Sequence, residues 1–267
     1  MKIPYYQIDA FSSSVFGGNP AAVCPLDNWL DDLLLQAIAA ENNLAETAFF
    51  VRKGDHFELR WFMPHDEIDL CGHATLASAF VIFNWLDWQS DEILFQSQSG
   101  PLKATQNKDR SITLDFPAWK ADPIPVTEIM TSAFGLKPKE AYANRDLILL
   151  YDNEDQIRMM NPNLTLLKDL PYLCLIPTAL GQSADFVSRV FDANAPEAED
   201  PVTGSAHTSL VPFWAKKTGK TIFHARQLSA RGGELFCELK NERVYMRGHA
   251  VHFMTGEILL TDKHLRL

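Results

Sequence analysis

The sequence has only four cysteines, Cys24, Cys71, Cys174 and Cys237, with no Cys-x-x-Cys pair and no short spacing that builds a zinc site, so reduced and mostly buried thiols are expected. It has no apolar run approaching the roughly 20 residues that a membrane-crossing helix needs. Its opening, Met1-Lys2-Ile3-Pro4, passes straight into a strand-like pattern, without the apolar core and small-residue cleavage site of a signal peptide. A soluble, cytoplasmic protein is therefore expected. Basic charge is also short: 24 Lys and Arg against 34 Asp and Glu give a net charge of −10. That balance repels a phosphate backbone or an anionic membrane over a screening length of about 8 Å. Neither nucleic acid nor a membrane is an expected partner. Gly17-Gly18 and Gly232-Gly233 lack the spacing of a dinucleotide turn, and neither a Gly-x-x-x-x-Gly-Lys-Ser/Thr loop nor a Gly-x-Ser-x-Gly elbow occurs. No nucleotide cofactor and no serine-hydrolase chemistry is implied. His56, His65, His224, His249, His252 and His264 share no metal-ligand spacing, so no metal is implied either.

What is present suits a folded protein: 46% hydrophobic and 22% charged residues supply a real core. At 267 residues the chain exceeds a single ordinary domain of about 100–200 residues. Aromatic and β-branched residues at roughly alternate positions over 2–9 predict a half-buried strand, followed by a turn at Gly17-Gly18-Asn19-Pro20. Near-helical spacing from Trp29 to Ala40 predicts a helix with Asp27 as its N-cap and Asn42-Asn43 at its end. Residues 46–52 and 56–62 predict a hairpin across Lys53-Gly54-Asp55; 74–86 predicts a buried helix, and 92–97, 101–106 and 111–116 a meander. Patterns are weakest over 120–170. The boundary is expected near 118–125, giving halves 1–120 and 121–267. In the second half, strands are expected at 171–177, 185–191, 234–239, 242–247 and 249–260, with a helix at 205–218.

An internal repeat organises these elements. Cys71-Gly72-His73-Ala74 and Thr203-Gly204-Ser205-Ala206 share the form x-Gly-polar-Ala before an apolar helix, at an offset of 203 − 71 = 132 residues. At nearly that offset Ser99-Gly100-Pro101-Leu102 matches Gly232-Gly233-Glu234-Leu235, and Ile112/Leu114 match Val244/Met246. A duplicated α+β unit follows, with two pseudo-symmetric domains whose helix starts can face one another across a cleft. The first turn of a helix offers unpaired N–H groups and about half a positive charge, and a glycine there admits a ligand to the backbone. Two such starts suit a carboxylate or enolate oxygen and can stabilise charge developing beside an α-carbon.

The blocks Asp9-Ala10-Phe11, Gly17-Gly18-Asn19-Pro20-Ala21-Ala22-Val23, Leu44-Ala45-Glu46-Thr47-Ala48-Phe49, Cys71-Gly72-His73-Ala74-Thr75 and Glu199-Asp200-Pro201-Val202-Thr203-Gly204-Ser205-Ala206, in that order, resemble the PhzF family of phenazine-biosynthesis-like proteins. Gln227 with Arg231-Gly232-Gly233-Glu234 resembles a later block, so the likeness covers nearly the whole chain. It implies the α+β fold of diaminopimelate epimerase: two pseudo-symmetric domains, each a curved antiparallel sheet wrapped around a central helix, with the active site in the cleft between them. It also implies a cofactor-free proton shift on a small carboxylated substrate, and homodimers. In the epimerases two cysteines at the helix starts move the proton; here those positions hold Cys71 and Thr203. A threonine hydroxyl is far too weak an acid or base to replace a thiol, which disfavours a two-thiol racemase. In the PhzF proteins the acid/base is a glutamate, which by motif falls on Glu46.

Glu46 lies among Leu44, Ala45, Ala48, Phe49 and Phe50, where burial that raises its pKa would suit a proton shuttle; otherwise it is a strand-end or salt-bridging carboxylate. His73 is open to two roles at the site, proton relay or hydrogen-bond donor to substrate, besides that of an ordinary helix-start histidine. Asp200 either orients His73, binds a substrate amine or hydroxyl, or caps the next helix. The backbone N–H groups at Gly72, Thr203, Gly204 and Ser205 are candidate substrate contacts, and capping alone would account for the Thr203 and Ser205 hydroxyls. Asn19 is a turn residue or a binding residue. Cys71 is assigned no catalytic role. Two rival functions stay open: a small-molecule binding protein that has lost the chemistry, and an epimerase using Cys71 opposite Glu46.

Overall fold

The computed structural model describes residues 1–192 and 198–261, which form two compact units. The first is Met1–Asp115 together with the chain from Arg247 onward, and the second is Phe116–Met246. His264 lies outside the described residues.

The first unit contains β1 (Lys2–Ala10), β2 (Asn19–Leu26), α1 (Asp32–Asn42), β3 (Glu46–Lys53), β4 (His56–Phe62), β5 (Glu67–Ile68), α2 (Gly72–Trp85), β6 (Glu92–Ser97), β7 (Gly100–Gln106) and β8 (Ile112–Pro117). The second contains β9 (Asp122–Ile124), α3 (Glu128–Phe134), β10 (Glu140–Ala143), β11 (Leu147–Leu150), α4 (Glu154–Met159), α5 (Leu164–Leu167), β12 (Leu175–Leu180), β13 (Phe186–Ser188), α6 (Gly204–Thr218), β14 (Ile222–Gln227), β15 (Gly233–Lys240) and β16 (Arg243–Gly248). The last strand, β17 (Ala250–Leu259), pairs antiparallel with β1 from Lys2 opposite Leu259 to Ala10 opposite Ala250. This pairing corrects the expected second half, 121–267: its final strand belongs to the first unit, because β1 supplies the ladder partner.

The repeat is carried by the strand pairings. In the first unit the succession β17-β1-β2-β3-β4-β6-β7 runs antiparallel, antiparallel, parallel, antiparallel, parallel, antiparallel. In the second, β9-β10-β11-β12-β13-β14-β15 runs through the same six steps. A parallel step cannot be closed by a tight turn and needs a crossover connection. Accordingly α1 lies between β2 and β3, α2 between β4 and β6, α4 and α5 between β11 and β12, and α6 between β13 and β14. The other steps of the two successions are antiparallel.

Helix α2 has no polar face: Gly72 through Ala79, Val81 and Ile82 are all buried, and it packs against β1, β2, β3, β7 and β17. Across the sheet, Ala22 and Cys24 of β2 and Phe49 of β3 form a second apolar layer with Leu34, Leu35 and Ile38 of α1. Covered on both faces, β2 and β3 read as continuous apolar runs rather than alternating ones. In the second unit α6 is buried in the same way, its Trp214 stacked on Phe186 at 5.7 Å.

Local differences from expectation have local causes. The N-cap of α1 is Asp31, whose carboxylate accepts the Leu33 N–H at 2.9 Å, rather than Asp27, because the chain needs the residues after β2 for its turn toward the helix. The expected end at Asn42-Asn43 is the observed one, with Asn43 left-handed at φ 48°. The weakly patterned middle holds β9, α3, β10, β11, α4 and α5, elements of three to seven residues, too short to show a period. Among the described residues no helix is long and apolar enough to cross a membrane.

Candidate active site

The parallel β2–β3 step places Glu46, first residue of β3, beside Ala21 of β2. Asn19 lies two residues before Ala21, so its side chain shares that face of the sheet. Asn19 is fully buried, and the turn before it depends on Gly18, where φ is +66° and an added Cβ would lie 2.1 Å from the Ala10 carbonyl oxygen. No L-residue with a side chain fits there without moving the backbone.

The start of α2 completes the group. His73, second residue of the helix and only 4% exposed, stands with Nε2 2.9 Å from Glu46 Oε2. The two atoms are an ion-pair contact rather than an aligned hydrogen bond. On the other side of the ring, Nδ1 lies 3.2 Å from the Asn19 side-chain amide nitrogen and 3.5 Å from Cys71 Sγ. Cys71 is the N-cap residue of α2, but its side chain caps nothing, and Thr75 Oγ1 donates back to the Cys71 carbonyl at 2.5 Å. Burial pushes the Cys71 thiol pKa up, and the Glu46 carboxylate adds to this. For His73 burial pushes down, but the neighbouring Cys71 and Glu46 outweigh it and hold the imidazole well above its ordinary range.

In the second unit, the start of α6 has its own polar group. Thr203 is the N-cap residue, yet its hydroxyl donates to Asp200 Oδ2 at 2.5 Å instead of capping the helix. Its N–H donates to Gln227 Oε1 at 2.9 Å, and Gln227 Nε2 donates to the Asp200 carbonyl at 2.7 Å. His207, one turn into the helix and fully buried, donates from Nδ1 to the Thr203 carbonyl at 2.8 Å. Burial pushes its pKa down to about 4. Gly204 opens α6 and Ser205 follows it.

The fold thus brings Glu46, His73 and Asn19 into contact, with Gly72 in the same helix start. Asp200 and Thr203 are joined in the second unit, next to Gly204 and Ser205. Two features were not legible in the sequence. Gln227 ties the Thr203–Asp200 pair together, with only its place in a recognisable block to flag it. Glu46, Cys71 and His73 bring three potential metal-ligating atoms within 4.8 Å of one another, although histidine and cysteine spacing shows no ligand set.

A family model described as phenazine biosynthesis-like protein matches residues 8–256. The chain belongs to the PhzC/PhzF family. Family members are similar along their whole length: a protein of Pseudomonas aeruginosa named as an uncharacterized isomerase is 46% identical, covering 97% of this chain and all of that one. The crystal structure of a PhzF-family phenazine biosynthesis protein from Enterococcus faecalis superimposes with a TM-score of 0.94 at 47% identity, covering 97% of this chain and all of that one. A protein of P. aeruginosa described as a predicted epimerase matches with a TM-score of 0.77 at 20% identity, again over 97% and 100%, and shares the fold. The architecture is the diaminopimelate epimerase-like one, two α+β units each with a curved sheet around a central helix.

Proposed function

We propose that this PhzF-family protein is a cofactor-independent isomerase that shifts a proton on a small carboxylated substrate, amino- or hydroxy-acid-like and suited to a cyclic form. Glu46 is the acid/base. The observation that carries this is the Glu46 Oε2 to His73 Nε2 contact of 2.9 Å at an uncapped helix start. The Glu46 side chain is 13% exposed and that of His73 5%, so the carboxylate is the member open to a ligand and the imidazole lies behind it. Glu46 takes a proton from one carbon and returns it to another on the same face, while His73 holds the carboxylate in place and steadies its charge. Backbone N–H groups at Gly72, Gly204 and Ser205 hold substrate oxygens, supplying the partial positive charge of a helix start to the anionic intermediate, whereas the expected Thr203 N–H is taken by Gln227. Asn19 fixes the far side of the imidazole, and Asp200 assists through a substrate amine or hydroxyl.

The raised thiol pKa at Cys71 favours this over a Cys71/Glu46 epimerase, because a base must be available in its deprotonated form. A homodimer in the cytoplasm belongs to the same proposal and is checked by light scattering and cell fractionation. The main test is incubation with cyclic and acyclic amino and hydroxy acids in D₂O, followed by mass spectrometry. Label in one compound that falls at least 100-fold in Glu46→Gln, with binding retained, is the expected result. Unchanged labelling in that variant overturns the role of Glu46, and ligand stabilisation without any label favours a binding protein.

A further inference from the structure

A proton shuttle needs a carboxylate and an imidazole; it does not need the sulfur beside them. Cys71, His73 and Glu46 nevertheless offer S, N and O donors within 4.8 Å of one another. This is a donor set of mixed softness, the kind that suits zinc and not magnesium or calcium, which take oxygen.

The spacing agrees. Zinc bonds of about 2.3 Å to sulfur and 2.0–2.1 Å to nitrogen, opened to a tetrahedral angle, set the two ligands about 3.5 Å apart. Cys71 Sγ and His73 Nδ1 are 3.5 Å apart. An ion there takes the place of the Asn19 amide at Nδ1, and Glu46, whose Oε2 now meets Nε2, becomes the third ligand by swinging from that nitrogen toward the Cys71 side of the ring.

We propose that Glu46, Cys71 and His73 form a zinc-binding site whose occupancy blocks the enzyme by taking the carboxylate away from the substrate. The blocking part rests on the acid/base role of Glu46; the binding part does not. Metal control of this kind makes the protein active when free zinc is scarce and silent when it is abundant.

The experiment separates the two parts. Cobalt(II) is added to the chelator-treated protein and the near-ultraviolet region is searched for a thiolate-to-cobalt band, which requires no substrate. The expected result is a band that zinc abolishes by competition and that Cys71→Ala and Cys71→Ser both lack, their folding checked by circular dichroism. Zinc should then suppress deuterium exchange reversibly on adding chelator. Cys71→Ala should keep basal exchange while needing at least tenfold more zinc for the same inhibition. Absence of the band, or a band of equal strength in the Cys71 variants, overturns the site. A Cys71-dependent band without inhibition overturns the blocking role and leaves the site standing.

Discussion

Gln227 holds Thr203 at two points: its Oε1 accepts the Thr203 N–H at 2.9 Å, and its Nε2 lies 3.2 Å from Thr203 Oγ1 while donating to the Asp200 carbonyl at 2.7 Å. One side chain from β14 therefore fixes the N-cap residue of α6. Gln227→Ala leaves the Thr203 N–H in a buried position without this acceptor, a loss of about 1–3 kcal/mol. For a chain of this size that lowers Tm by several degrees. Differential scanning calorimetry reads it directly, and an unchanged Tm would show that the tie carries no stability.

His207 predicts an acid instability with a definite window. Its folded pKa of about 4 lies below the ordinary imidazole value of about 6.5, so below pH 6.5 the unfolded chain takes up a proton that the folded chain refuses. Stability is unaffected above that value and falls as the pH drops from about 6.5 to 4, by a total on the order of 3 kcal/mol. In Tm measured against pH, His207→Asn should show a shallower decline through this window. Parallel curves for the two proteins would rule His207 out as the cause.

Gly18 and Gly54 form a matched pair for testing close approach. Both have positive φ, +66° and +69°, but a Cβ at Gly18 meets the Ala10 carbonyl oxygen at 2.1 Å whereas one at Gly54 meets nothing within 4 Å. Gly54→Ala should cost only the backbone strain, about 1 kcal/mol. Gly18→Ala should cost clearly more, and should weaken ligand binding by moving Asn19. Equal urea midpoints for the two variants would contradict the difference.

Cys71 tests the alternative thiol chemistry. Cys71→Ala should retain kcat/KM within a few-fold of the parent and resist alkylating reagents, because a thiol pushed upward by burial is a poor base at neutral pH. A loss of 100-fold or more would restore the epimerase mechanism.

Much of the architecture is legible where a period runs long enough. The buried helix at Gly72–Trp85, the hairpin across Lys53-Gly54-Asp55 and the strands at 92–97 and 100–106 follow from apolar spacing and turn residues. The repeat is visible in the two x-Gly-polar-Ala starts. Strand β14 does not stand out in the sequence although it follows the left-handed Gly219, because its buried face is Phe223, Ala225 and Gln227, with only one large apolar residue to mark the alternation. The short strands around Asp122–Leu150 are not legible, because three or four residues give no period to read.

The sequence by itself determined the longer elements, the duplication and the family, since each depends on residues close together or on blocks in a fixed order. Only the tertiary structure decided that Leu259 closes the first sheet against Lys2, that Glu46 meets a histidine 27 positions away, and that Cys71 joins them. Such pairings are chosen by which faces share a core and which strands find ladder partners. That free energy is shared across the whole fold and leaves no mark in any local window of the chain.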